Sequence, residues 1–485
     1  MFLYVNYNSI TAMSRFVVSL AVTAQILALA ALSNFAFGIE AANKGGNEDK
    51  DQRFICDEQG RALILHGTSI SNSSKRDGHP WVTREDVIGL SRDWGFNFVR
   101  YLIFWSMVEP EPGVYDDDYL NEVAKRMDWF AEAGIHVVLD MHQDLWGPSL
   151  NSCFPVEIYN GAPDWATVTD GLPNNSEYCR SGWERLYTSP DLTRAFDAFF
   201  DYAGDHPELQ DHYAATWAHV AGRFKDHPAV LGYDLMNEPW HGADMFREEK
   251  FDKTKMHGFI RRMIDAIRAV DNDSWIFFEP RAGLVNQGLP SYIPPLADPR
   301  SGPQRLVYSP HIYLQSVLDG KYKTGAGDFD AWTENRRNEV EVLKTPLVIG
   351  EWNIWSGGDA YMNDLLNFLD DMMAGWAQYS YEGAFLESEE GMLRVFPRRI
   401  AGRPLSYCYD PASRRFFLEF ETKSGVIGPT EIYIPARRRF PEGWVLTVSD
   451  PEGTWKSRWD EDVEILSVFT DPARERHTIT VVPAD

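Results

Sequence analysis

The stretch Asp234-Leu235-Met236-Asn237-Glu238-Pro239 follows a short apolar run, residues 229–233, that reads as a buried β-strand. The strand ends by presenting an amide and a carboxylic acid side by side, and Pro239 closes it. The same setting returns in Leu347-Val348-Ile349-Gly350-Glu351-Trp352. One acid after one strand is usually a solvated strand end. Two such acids, each at the C-terminal end of an apolar strand, match the way an α/β barrel gathers reactive groups on one face.

Outward from these stretches, strand-like and helix-like runs alternate from residue 54 onward. Residues 62–67 read as the first strand, 96–101 as the second with Arg100 near its end, and 135–141 as the third. Helical runs over 84–94, with Thr83 as N-cap, and over 119–133 lie between them. The fourth strand ends at Glu238, and residues 275–278, 305–309, 347–351 and 376–381 supply the fifth to the eighth. This alternation predicts a (β/α)8 TIM barrel. A long insertion over 145–190, rich in Gly, Pro and Asn, follows the third strand. Beyond it the character changes only after residue 397, where the β-prone runs 416–420, 431–434, 444–448 and 477–482 predict an all-β sandwich. The expected organisation is a leader over 1–42, a catalytic barrel over 43–397 and a C-terminal β-sandwich over 398–485. Arg437, Arg438 and Arg439 form a short basic cluster in the last part, read as a solvated face.

The chain has 485 residues and a net charge of -26, which argues against nucleic acid and anionic membrane surfaces as partners. Its 17 Trp fit core packing first and stacking on sugar rings second. Residues 16–38 are apolar, preceded by Arg15 and followed by a polar stretch over 43–53. This reads as a secretory signal peptide cut between about residues 37 and 42, and hence as a secreted protein. An uncleaved membrane anchor through 16–38 is the alternative. Of the four cysteines, Cys153 and Cys179 bracket the Gly/Pro/Asn-rich insertion, where a disulfide would shorten a floppy loop; Cys56 and Cys408 are candidate free buried thiols. No cysteine spacing fits a zinc site, and there is no Gly-x-Ser-x-Gly elbow, His-Glu-x-x-His or phosphate-binding loop.

Two carboxyl groups on separate strands suit hydrolysis of a glycoside with retention: one ionised as nucleophile, one protonated as acid and then base. No metal or cofactor is required for that chemistry. The order of motifs resembles clan A glycoside hydrolases, specifically family 5. The resemblance implies Glu238 as acid/base, Glu351 as nucleophile and Asn237 as the amide that meets the sugar 2-hydroxyl. It further implies Arg100 beside the nucleophile, His142 in Met141-His142-Gln143-Asp144, and His311 and Tyr313 in Ser309-Pro310-His311-Ile312-Tyr313. Trp376 matches the aromatic platform of the eighth strand. Taken singly, each of these residues is as well explained by packing or a salt bridge; their order along the strands carries the reading.

A narrower resemblance covers residues 54–485. His66-Gly67-Thr68-Ser69-Ile70-Ser71-Asn72-Ser73-Ser74-Lys75, Asp140-Met141-His142-Gln143-Asp144-Leu145-Trp146 and the β-rich C-terminal part together resemble endoglycoceramidases. These enzymes cut between oligosaccharide and ceramide in glycosphingolipids. The resemblance implies Lys75 and Asp144 as grips on the first glucose and Trp183 as a tryptophan from the insertion. It also implies a glycosphingolipid substrate, for which an approach to a membrane or micelle surface is expected; the protein is expected to act as a monomer. The competing readings are another family 5 β-glycosidase (β-glucanase, β-mannanase or β-glucosidase) and a non-catalytic glycan- or lipid-binding barrel.

Overall fold

The computed structural model describes residues 53–70, 72–180, 182–385 and 387–484; the leader lies outside them. Among these residues, eight parallel strands form the barrel, numbered here in chain order. They are β1 (His66–Ile70), β2 (Phe98–Ile103), β3 (His136–Met141), β4 (Val230–Asp234), β5 (Trp275–Phe278), β6 (Leu306–Tyr308), β7 (Val348–Trp352) and β8 (Gly375–Tyr381). Hydrogen bonding runs β6-β5-β4-β3-β2-β1-β8-β7, and the parallel bridges Tyr308 to Leu347 and Ile312 to Trp352 close the ring. Most of the strand residues are buried, and β2 to β7 are rich in Val, Ile, Leu and Phe rather than alternating; β1 and β8 are more polar.

Local chemistry explains the element ends. Thr83 and Asp86 form a capping box: the Thr83 hydroxyl accepts from the Asp86 N–H, and the Asp86 carboxylate accepts from the Thr83 N–H at 2.8 Å. That helix, Arg84–Trp94, stops at Gly95, whose φ of 68° is left-handed. In β1, Gly67 lies against the neighbouring strand: a Cβ there would sit 1.7 Å from the Phe98 carbonyl oxygen.

The first strand differs from its expected extent. Ala62–Leu63 leaves the barrel and pairs antiparallel with Phe396–Ile400; only from His66 does the chain enter β1. Asn97 holds the break, donating to the Ile64 carbonyl at 2.8 Å and accepting from the His66 N–H at 2.9 Å. The sandwich is therefore built from segments on both sides of the barrel in sequence. One sheet orders Ala62–Leu63, Phe396–Ile400, Thr430–Tyr433, Ile465–Phe469 and Lys456–Asp460; the other orders Arg403–Asp410, Arg415–Glu421, Arg476–Pro483 and Trp444–Val448. The Arg cluster is not a free solvated face. Arg438 pairs with Glu390 and lies 5.0 Å over the Trp94 ring, so it ties the sandwich to a barrel helix.

Cys153 and Cys179 are joined by a disulfide. Cys408, expected to be buried, is exposed on the strand Arg403–Asp410; Cys56 is half-buried with Sγ toward the Phe54 carbonyl. Among the described residues, no helix is long and apolar enough to cross a membrane.

Arg398 locks the two layers. Its buried guanidinium donates to the carbonyl of Gly95 at 3.0 Å and of Gly134 at 3.5 Å, past the ends of two barrel helices, and burial lowers its pKa to about 10. A cation at two helix C-termini also complements their dipoles. Arg398→Ala should cost about 1–3 kcal/mol by leaving buried carbonyls unpaired. The expected result is a lower denaturant midpoint with unchanged kcat, because Arg398 lies at the barrel end opposite the carboxylates.

Candidate active site

Arg100, 1% exposed near the middle of β2, is the hub. Its Nε donates to Asp234 at 2.8 Å, Nη1 to Glu351 at 2.7 Å, and Nη2 to Asn237 at 2.9 Å and Glu279 at 2.8 Å; Asp140 lies 3.0 Å away. Strands β2, β3, β4, β5 and β7 thus converge on one guanidinium. Opposing charge on all sides holds Arg100 protonated despite its burial.

Glu238 lies four residues past the end of β4, not on the strand itself, with φ at 45°. A left-handed glutamate is uncommon and costs roughly 1 kcal/mol, so it needs support. Three bonds supply it. The Glu238 N–H donates to Glu279 at 2.9 Å, while Gln143 Nε2 donates to the carbonyls of Asn237 at 2.8 Å and Glu238 at 3.0 Å. The following Pro239 disfavours the right-handed alternative. The Glu238 carboxyl then accepts from Asn286 at 2.7 Å and from His311 Nδ1 at 3.0 Å.

Glu351 accepts from Arg100 through one oxygen and from the Tyr313 hydroxyl through the other, at 2.9 Å. Gly350 before it is obligatory in space, because a Cβ would lie 2.8 Å from His311 Nε2. Oxygens of Glu238 and Glu351 and a ring nitrogen of His311 lie within 4.8 Å of one another.

The two carboxyls differ in environment. Burial raises the pKa of Glu238, only partly offset by His311. Burial acts on Glu351 too, but the charges of His311, Arg100, His142 and Lys75 outweigh it and hold the group below the usual carboxylate range. His311 is itself kept protonated, its burial overcome by Glu279, Glu351 and Glu238. The trio Glu238, His311 and Glu351 has the donor types of a cation site. A metal would have to displace a firmly held imidazolium proton beside the Arg100 charge, so the residues are arranged for proton chemistry.

A second group sits beside the first. Lys75 Nζ meets Asp144 at 2.5 Å, and Asp144 accepts from Asn160 at 2.9 Å and lies 3.3 Å from His142 Nε2. His142 Nδ1 bonds Asp140 at 2.7 Å. Tyr379 on β8 lies under Lys75, with Nζ 5.3 Å from its ring, and donates to Asn72 at 3.1 Å.

Lys75, Arg100, His142, Asp144, Asn237, Glu238, His311, Tyr313 and Glu351 are all gathered here. Trp376 is not. It is fully buried at the start of β8, in register with His66, and packs against His66 at 4.6 Å and Trp352 at 5.6 Å. It is core because it sits at the wrong end of its strand; Tyr379, three residues on, reaches the site instead. The Trp183 side chain lies outside the described residues. Exposed Trp355, stacked on Tyr313 at 5.1 Å, is the aromatic surface at the nucleophile side. Sequence reading also passed over Glu279, although Phe278-Glu279-Pro280 repeats the strand-then-acid pattern of Glu238. Tyr379 and Asn286 left no comparable signal.

Comparison with known proteins agrees with this geometry. Residues 56–384 match the cellulase (glycosyl hydrolase family 5) profile, and residues 394–481 match the glycoside hydrolase family 5 C-terminal domain. The chain belongs to glycoside hydrolase family 5 and is a glycoside hydrolase. Within that family it is similar to endoglycoceramidase I of Rhodococcus hoagii, at 28% identity over 83% of this chain and 82% of the relative. It is also similar to endo-glycoceramidase II from Rhodococcus sp. in its ganglioside GM3 complex, with a TM-score of 0.80, 35% identity, and coverage of 89% of this chain and 99% of that one. The lactosyl-enzyme intermediate of the same protein superposes with a TM-score of 0.78 at 36% identity, over 89% of this chain and 100% of that one.

His142 links the site to stability. Burial lowers its pKa, but Asp140 and Asp144 raise it more, from 6.5 to about 9. The folded state therefore binds this proton more tightly than the unfolded chain does. The contribution is fully present below pH 6.5 and lost as pH rises through about 9. Denaturant titrations across that window should show a decline of about 3 kcal/mol, flattened in His142→Asn.

Proposed function

We propose that this chain is a retaining endo-β-glycosidase that cleaves glycosphingolipids between oligosaccharide and ceramide. The observation that carries the chemistry is the pair of carboxyls with oxygens within 4.8 Å, the pKa of one raised by burial and that of the other held down by its cationic neighbours. Retaining sites keep their carboxyls close; an inverting site needs room for a water between them. Glu351 attacks the anomeric carbon while Glu238 protonates the departing ceramide oxygen, giving a glycosyl-enzyme ester. Glu238, now a carboxylate, takes a proton from water, which releases the sugar with its original configuration. Arg100 and Tyr313 hold the nucleophile; the free N–H of Asn237, whose other amide contacts are taken by Arg100 and Gln143, is available to the 2-hydroxyl. Lys75 and Asp144 offer opposite charges to the hydroxyls of the first sugar.

The lipid half of the reading rests on the relatives and on the lip of the site. The relative at 35% identity is known in complex with a ganglioside, and one of its structures is a lactosyl-enzyme intermediate. In this chain the insertion turns Phe154, Val156 and Ile158 outward, Val156 being 62% exposed, while Glu157 between them accepts from Asn151 and Asn160. This inverts the usual order of apolar inside and polar outside. Asn160 passes the contact on to Asp144, so the apolar lip adjoins the sugar grip. It suits a substrate held at a membrane or micelle surface. The apolar run before residue 43 and the Cys153–Cys179 disulfide favour secretion.

Mass spectrometry of products from a mixed glycosphingolipid pool should show intact oligosaccharide and intact ceramide. Turnover of soluble β-glucans alone would move the substrate class elsewhere in the family. A mechanism-based fluorosugar should label Glu351, and Glu351→Gln should lower turnover by several orders of magnitude, because an amide is a poor nucleophile. Label on another carboxylate reassigns the nucleophile.

Glu238→Ala should damage glycolipid turnover far more than hydrolysis of aryl glycosides with acidic leaving groups, which scarcely need a proton. Azide should restore the aryl reaction and give a β-glycosyl azide by two inversions. An α-azide means inversion and excludes this mechanism.

A further inference from the structure

We infer that Asn286 is a positioning residue that fixes which oxygen of Glu238 carries the catalytic proton. The inference rests on Glu238 being the acid/base. Asn286 follows the short turn Gly283–Val285 beyond β5 and is buried. Its amide nitrogen donates to Glu238 Oε1 at 2.7 Å, and His311 Nδ1 donates to that same oxygen at 3.0 Å. Two N–H donors on Oε1 fill its accepting directions and disfavour a proton there. The proton is left to Oε2, the oxygen free to face a departing alkoxide.

Asn286 acts at a second point through its main chain. Its carbonyl accepts from the Tyr313 N–H at 2.8 Å, and the Tyr313 hydroxyl holds Glu351. One residue thus carries a side-chain bond to one carboxyl and a backbone bond to the partner of the other. The backbone bond survives substitution, so the side-chain role can be tested alone.

The donor from Asn286 stabilises the ionised form of Glu238, so its removal raises the carboxyl pKa. In Asn286→Ala the alkaline limb of kcat/KM against pH should move up by about one unit. At the old optimum, activity should fall about tenfold more on an alkyl β-lactoside than on dinitrophenyl β-lactoside, because a misplaced proton matters only to a poor leaving group. Asn286→Gln should recover part of the difference. Asn286→Asp keeps the shape and removes the donor, and its greater loss on the alkyl than on the dinitrophenyl lactoside decides the matter if the alanine variant does not fold; equal loss on both overturns the inference. An unmoved limb with equal loss on both lactosides overturns the inference and leaves Asn286 only its backbone bond to Tyr313. Glu238→Ala, run alongside, separates the two levels: if it too fails to distinguish the lactosides, the acid/base reading itself falls.

Discussion

One guanidinium organises the site. Arg100 bonds or pairs with Asp140, Asp234, Glu279, Glu351 and Asn237, which come from four different strands or their ends. A buried cation is expensive unless its neighbours compensate, and leaving one carboxylate without it would cost several kcal/mol. The barrel supplies that compensation by aiming acids inward at successive strand ends. Pulling any one of these strands out of register would break the ring of charges.

The protonation pattern follows from the same ring. Six carboxyls, Asp140, Asp144, Asp234, Glu238, Glu279 and Glu351, face the four cationic groups Lys75, Arg100, His142 and His311. Burial raises Asp234, reinforced by Glu279 and Asp140 against the pull of Arg100, and burial raises Glu238. Within this ring the two glutamates are pushed apart: burial raises Glu238, while the cationic groups around Glu351 hold it lower.

The sandwich supports this arrangement from the far end. Ala62–Leu63 joins the sandwich sheet directly before β1, and Arg398 caps two barrel helices from beneath. The barrel thus begins and ends on a packed base, which leaves the opposite face free for loops. The longest loop, tied by Cys153–Cys179, uses that freedom to join an apolar lip to the Lys75–Asp144 pair.

The sequence alone carried the barrel, the β-rich C-terminal part and nearly all the reactive side chains. Buried parallel strands are apolar runs, and an acid or amide at the end of such a run stands out, as at Asn237, Glu238 and Glu351. By the same signal Glu279 was legible. Tertiary structure decided what depends on direction and on the far side of a fold. Trp376 reads like a platform, but its place at the start of β8 makes it core, and Tyr379 reaches the site because it lies three residues further along. The split of residues 62–67 between two sheets was hidden, since no Pro or turn signal interrupts the run and only the partner strands differ. Asn286 carries no pattern at all in sequence. Its role comes from a turn that brings one amide within hydrogen-bonding reach of Glu238, and that distance is a property of the closed barrel.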